Sequence, residues 1–264
     1  MTAPPLTIGD AAIEILNSAP PEDKIRLSRC YAKDWQDGVL SHAFPACPPD
    51  RPARPVVPEL LMPRYMPKRR NVAALLHAIA HIEFNAIDLA WDMVARFGGD
   101  MPRGFTNDWT QVADDEARHF QMITDRLQSY GVTYGDMPAH DGLWQSAMDT
   151  AHDLLARLAV VPLVLEARGL DVTPAMIVRL EKANDLKSAE ALSMIYEEEI
   201  AHVHAGQKWF NHICQKKNLD PAETYQNLVS QYFKGQIKPP FNKAARTRAG
   251  FEEFFYLPLA QKSD

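Results

Sequence analysis

Residues 72–97 read VAALLHAIAHIEFNAIDLAWDMVARF, and their apolar positions decide the fold class. Leu76, Ile79, Ala80, Ile87, Ala90 and Val94 recur at the spacing of one helical face. The run ends at Gly98–Gly99, which reads as a glycine stop. Glu83 lies in the middle of the apolar stripe. A carboxylate on a core-facing stripe needs a reason, because an unpaired buried charge costs on the order of several kcal/mol.

The same period continues downstream. A second helix is expected from about Thr106, as N-cap, to Tyr130 before Gly131. A third is expected over 141–168, bent at Pro162 and ended at Gly169, with Thr173–Pro174 opening a shorter helix to about Asn184. A fourth runs from about Ser188 to Lys217, and Asp220–Pro221 starts another. Upstream, two short helical patterns at 8–18 and 22–37 precede HAFPACPPDRPARPVVPELLMPRYMPKRR at 42–70, too rich in proline for a helix. That stretch reads as an arm wrapping a core, with Val56, Val57, Leu60, Leu61 and Met62 expected to be buried. No segment reads as a strand, so the chain is all-α. The expected architecture is a four-helix bundle at 71–218, with N-terminal helices and an arm at 1–70 and a helical extension at 219–264.

Each remaining long pattern carries a core-facing acid. Glu116 and His119, in DDEARHF at 114–120, share a face with Trp109, Val112, Ala113, Phe120 and Ile123. Glu166 aligns with Leu155, Ala159, Leu163 and Leu170, and Glu199 and His202, in EEEIAHVH at 197–204, align with Leu192, Ile195, Val203 and Phe210. Glu116 follows Glu83 by 33 residues, and Glu199 follows Glu166 by the same 33. The chain repeats a lone Glu and then Glu-x-x-His, which puts a carboxylate and an imidazole one turn apart. Two such hairpins supply four Glu and two His, the ligand set of a dinuclear carboxylate site. One match would be weak; two, each after another core-facing Glu, outweigh coincidental exposed acids. Two iron ions are expected, with manganese or a mixed iron–manganese pair as the alternative.

Neighbouring residues extend the pattern. Asp115 and Glu198 are candidates to accept the second N–H of the two histidines, and Arg118 is a candidate partner for such an acid. His77 and His81, four apart, lack a third ligand nearby and read as an ordinary polar face. His204 points away from His202, His152 reads as structural, and Tyr196 reads as a core tyrosine rather than a redox group. Basic clusters at Arg64–Arg70 (RYMPKRR) and Lys243–Arg248 (KAARTR) admit a phosphate-bearing substrate or even tRNA. The favoured reading is arms held by acidic partners.

The totals fit this picture. Of 264 residues, 46% are apolar and 23% charged, enough for a sizeable core, and a net charge of −6 argues against broad nucleic-acid affinity. Three scattered cysteines form no Cys-x-x-Cys pair and are expected as free thiols. MTAPPLTIGDAAIEIL shows no basic-then-apolar leader, and the apolar stretch 154–167 is broken by Arg157 and Glu166. A cytoplasmic protein with no membrane partner is expected.

The DDEARH stretch resembles the Asp-Glu-x-Arg-His motif of bacterial multicomponent monooxygenases, within the ferritin-like superfamily of di-iron carboxylate proteins. The order Glu, Glu-x-x-His, Glu, Glu-x-x-His is also similar to that of a bacterial tRNA hydroxylase over about residues 72–216. HAIAHIEFNAIDLAWD, DEARHF, LEARGLDVTP, EEEIAH and KPPFNKAAR together resemble a bacterial ferritin-like family of unknown function over nearly the whole chain. The resemblance implies Glu83, Glu116, His119, Glu166, Glu199 and His202 as metal ligands and catalytic centre, with Asp115 and Arg118 supporting them. It implies an oxygen-activating di-iron oxidoreductase that hydroxylates or otherwise oxidises an organic substrate. An electron-donor protein belongs among its candidate partners. The arms at 42–70 and 235–259 suit a covered pocket. Ferroxidase or other metal handling, manganese-dependent peroxide removal, and a metal-stabilised binding protein without catalysis stand as alternatives.

Overall fold

Thr7, Asn71, Asp185 and Asp220 each turn a side-chain oxygen onto the backbone N–H three residues on, and each starts a helix. In the computed structural model, residues 6–61, 66 and 71–260 are described. The helices are α1 (Ile8–Leu16), α2 (Pro21–Gln36), α3 (Val72–Phe97), α4 (Arg103–Gln128), α5 (Gly142–Asp149), α6 (Leu154–Val160), α7 (Ala167–Lys182), α8 (Leu186–Lys216), α9 (Pro221–Tyr232), α10 (Lys243–Arg248) and α11 (Glu253–Ala260). A π-helical segment, Val161–Glu166, joins α6 to α7. Among the described residues there is no strand, only isolated bridges of Thr7 to Ser41 and Leu60 to Ala139. The chain is all-α, as its periodicity predicts.

The chain divides into two compact units, Met1–Trp144 and Gln145–Asp264, a cut that falls inside α5. In the first unit α3 and α4 form a hairpin, with α1 against α3 and α2 against α4. Phe84, Phe105, Trp91 and Trp109 lie in its core, and each buried phenylalanine contributes about 1.5–3 kcal/mol. In the second unit α7 pairs with α8, while α6 and α11 pack on α9. Helix α3 is long and apolar enough to cross a membrane by composition, yet 78% of that window is buried within the protein. The three cysteines are free, as expected.

Five expectations change. Helix α3 does not end in a left-handed glycine: Gly98 has φ −61° and passes into a 3-10 turn, Gly98–Asp100. The glycine is required by close approach instead, because a Cβ on Gly98 would lie 2.6 Å from the Phe44 ring. The cap of the second helix lies four residues earlier than read from sequence, at Pro102, so the helix begins at Arg103 and Thr106 lies inside it. The expected helix over 141–168 is interrupted, because Asp153 caps α6 through Leu155 N–H at 2.8 Å. Arg157 then bridges the break, donating to Thr150 Oγ1 at 3.0 Å and Ala147 O at 2.6 Å.

Thr173–Pro174 does not open a helix either; α7 runs through Gly169 and Pro174. A proline there removes the bond to the Leu170 carbonyl, and Asn242 Nδ2 donates to that oxygen at 3.2 Å instead.

The arm is extended, but apolar burial is not what fixes it. Val56 is 98% exposed, and Val57 and Leu60 are exposed too, while Met62 and most of Arg64–Arg70 lie outside the described residues. Polar anchors hold it. Arg54 Nη2 donates to Asn85 Oδ1 at 2.8 Å and pairs with Asp88 at 3.2 Å, and Arg96 donates to Pro49 O at 3.1 Å. Ala53 N–H reaches Leu16 O at 2.6 Å, and Trp144 Nε1 donates to Asp50 O at 3.2 Å.

Candidate metal centre

Glu83 sits midway along α3, and Glu116 and His119 lie one turn apart on α4, so the hairpin turns all three inward. They are 5%, 1% and 0% exposed. His119 Nδ1 is 3.4 Å from Glu83 Oε2 and 3.5 Å from Glu116 Oε2. The ligand atoms of the three lie within 4.8 Å of one another, so this group could hold a metal ion. Two carboxylates so close in a dry interior repel one another, and a divalent cation offsets both that repulsion and their desolvation. Carboxylate oxygens with an imidazole nitrogen suit iron, manganese or zinc, so the donor set fits the expected metals.

Around this group, Asp115 Oδ1 accepts from Arg118 Nη2 at 2.7 Å and from Gln111 Nε2 at 3.1 Å. The pairing of Arg118 with a neighbouring acid is thus present. The residues next to Glu83 and His119 in sequence, Phe84 and Phe120, pack together with centroids 5.3 Å apart, and Tyr134 meets both.

The second unit repeats the motif. Glu199 and His202 lie on α8, with His202 Nδ1 3.6 Å from Glu199 Oε2; His202 is buried, and Glu199 and Glu198 are half-buried. Glu166, also half-buried, is the last residue of the π-helical segment rather than a member of a regular helix. Such segments insert one residue into the helical register, re-aim the side chains after them, and recur at functional sites. Pro162 lies within it, and Gly206 of α8 leaves room for the ring, since a Cβ there would lie 2.5 Å from Pro162 Cβ.

The other titratable groups singled out from sequence have structural partners. His77 Nε2 accepts from Gly135 N–H at 3.0 Å, and His81 contacts Tyr134 Oη at 2.9 Å and His140 O at 3.2 Å. These two histidines are buried and fasten the loop after α4 onto α3; they form neither a chelate nor an exposed polar face. Burial holds the His81 pKa down to about 3 and lowers that of His77, so both are neutral connectors at neutral pH. His204 Nδ1 meets Ala249 O at 3.2 Å, His152 meets Tyr232 Oη at 3.0 Å, and Tyr196 Oη accepts from Asn242 at 2.8 Å. In the KAARTR cluster, Lys243 pairs with Glu253, Arg248 with Glu197, and Arg246 with Asp171.

Two buried ion pairs escape a reading by stripe alone. Lys24 and Asp88, both with fully buried side chains, pair with each other, and Arg54 joins Asp88. Arg246 grips Asp171 with two bonds, Nε to Oδ1 at 2.9 Å and Nη2 to Oδ2 at 2.7 Å, beneath the rings of Tyr256, Phe241 and Phe251. The sequence signal of the Asp171–Arg246 pair was the acid three residues after Arg168 in LEARGLD and the arginine that ends KPPFNKAAR.

Comparison with known proteins agrees with the resemblance to a family of unknown function over nearly the whole chain. A family model described as "Protein of unknown function (DUF455)" matches residues 17–257. A Haemophilus influenzae relative described as "Uncharacterized protein" is 38% identical over 262 residues, covering 90% of this chain and 88% of the relative. No solved structure matches.

Proposed function

The chain belongs to the DUF455 family, and for it we propose a dinuclear metal oxidoreductase of the ferritin-like, di-iron carboxylate kind. Glu83, Glu116, His119, Glu166, Glu199 and His202 would together hold the two ions. The observation that carries the proposal is the convergence of Glu83, Glu116 and His119 within 4.8 Å in a buried setting. The 33-residue repeat extends that arrangement to the second set.

Iron is the favoured metal, and two ferrous ions held here would supply the redox chemistry of oxygen activation, which side chains alone lack. The chain's part is to hold and shield. Four carboxylates would offset the charge of two divalent ions, and two neutral imidazoles would supply nitrogen donors without adding charge. Burial of Glu83, Glu116 and His119 keeps bulk water from their side chains, which a reactive oxidant requires. The reading extends to a cytoplasmic enzyme that takes electrons from a donor protein and oxidises a small organic substrate.

Anaerobic loading with ferrous iron followed by exposure to air tests the activity. Wild-type protein is expected to consume oxygen. Glu116→Ala is expected to slow consumption by more than the roughly 10–100-fold that loss of an outer partner of a metal ligand costs. Equal consumption by both proteins would refute the assignment of the oxidation to this site.

A further inference from the structure

The second unit carries a partly open cavity of 170 Å³ that the metal proposal does not use. Leu163 and Val164 of the π-helical segment, Tyr225 of α9, Ile237, Phe241 and Tyr256 of α11 form much of its wall. An apolar cavity of about 150 Å³ accommodates a benzene-sized ring. Two further observations separate this space from a packing defect.

The first is a buried donor. Tyr256 is 1% exposed, and among the described residues its hydroxyl has no hydrogen-bond partner. The other phenol on the wall, Tyr225, donates to Leu163 O at 3.4 Å. Burial raises the Tyr256 pKa, so the group is an O–H donor at neutral pH and calls for an acceptor. The second is charge. Arg168, Lys238 and Arg246 line the cavity against one acid, Asp171, and that acid is engaged bidentately by Arg246. Arg168 also reaches Asp171 at 3.4 Å and is held by the Lys238 and Pro240 carbonyls at 2.9 Å, so three cations share one acid and the wall keeps a net positive charge beside the exposed Lys238.

We propose that this cavity binds a small aromatic carboxylate. The ring fills the apolar wall, a carboxylate oxygen accepts from the Tyr256 hydroxyl, and Arg168 and Lys238 balance the charge. The site stands apart from the metal proposal, since none of its lining residues is a candidate ligand.

Calorimetric titration of the full chain with benzoate, and with benzyl alcohol as a neutral ring of similar size, tests it. Benzoate is expected to bind one per chain with a Kd below about 1 mM, and more tightly than benzyl alcohol. Tyr256→Phe is expected to weaken benzoate about tenfold while leaving the ligand-free melting temperature equal or higher, because it removes a donor that lacks a partner. Lys238→Gln is expected to narrow the preference for the anion. Absence of saturable benzoate binding would overturn the proposal, as would binding unchanged in Tyr256→Phe or a preference for benzyl alcohol. The readout is binding to protein with or without metal, so it fails or succeeds independently of oxygen consumption.

Discussion

Asp88→Ala is expected to destabilise the protein by about 3–5 kcal/mol, the usual cost of removing one partner from a buried ion pair. Asp88 is fully buried on α3 and faces two cations, Lys24 of α2 and Arg54 of the arm. Burial pushes the Lys24 amine below its ordinary pKa, with Asp88 pulling the other way and losing. The pair therefore adds little stability over an apolar pair of the same shape, but half of it alone is costly. Without Asp88, Lys24 keeps only the Ala53 carbonyl, at 3.3 Å, and the Phe84 ring at 5.4 Å. The arm loses an anchor at the same time. Urea denaturation of Asp88→Ala beside Lys24→Met/Asp88→Leu separates the effects. The single change should be severe and the double change should recover most of the loss. A single-variant cost below about 1 kcal/mol would contradict this account.

Asp171→Ala is expected to cost a similar 3–5 kcal/mol, roughly, and to loosen the C-terminal segment first. Its carboxylate accepts both bonds of Arg246 and the backbone N–H of Asn242 at 2.9 Å, the cap residue of α10. Arg246 is 4% exposed, so losing Asp171 leaves a guanidinium buried with only aromatic faces and the Ala167 carbonyl at 3.4 Å. Hydrogen exchange should show amides of residues 242–251 opening at lower free energy, while those of α3 and α4 keep their protection. Unchanged exchange at Asn242 and Arg246 would show that the clamp carries no such weight.

How much of this was legible follows from the type of signal. Helix α3 was readable to the residue because its stripe is long and Asn71 and Gly98 flank it. The candidate ligands were readable because polar residues on apolar faces violate the pattern that surrounds them. Local signals misled where a distant group intervened. Pro174 sits inside α7 because Asn242, 68 residues later, supplies the missing bond to Leu170. Val56 was expected inside by hydrophobicity, but the arm is pinned by Arg54 and by backbone bonds, whose partners lie on other elements. The π-helical register at Glu166 had no local signature beyond Pro162, and its partner Gly206 lies 44 residues away on α8. Lys24 lies in a polar helix pattern, and only the tertiary position of Asp88 makes it a core residue.

The central claim is that the Glu and His residues hold metal, and metal content per chain by plasma mass spectrometry tests it most directly. Wild-type protein loaded with ferrous iron should carry close to two iron ions per chain. Glu116→Ala/His202→Ala should carry almost none, while circular dichroism shows its helices intact. Two manganese ions retained in preference to iron would keep the site and move the chemistry toward peroxide. Protein that stays metal-free after loading with either metal would contradict the account, leaving these buried carboxylates a structural role.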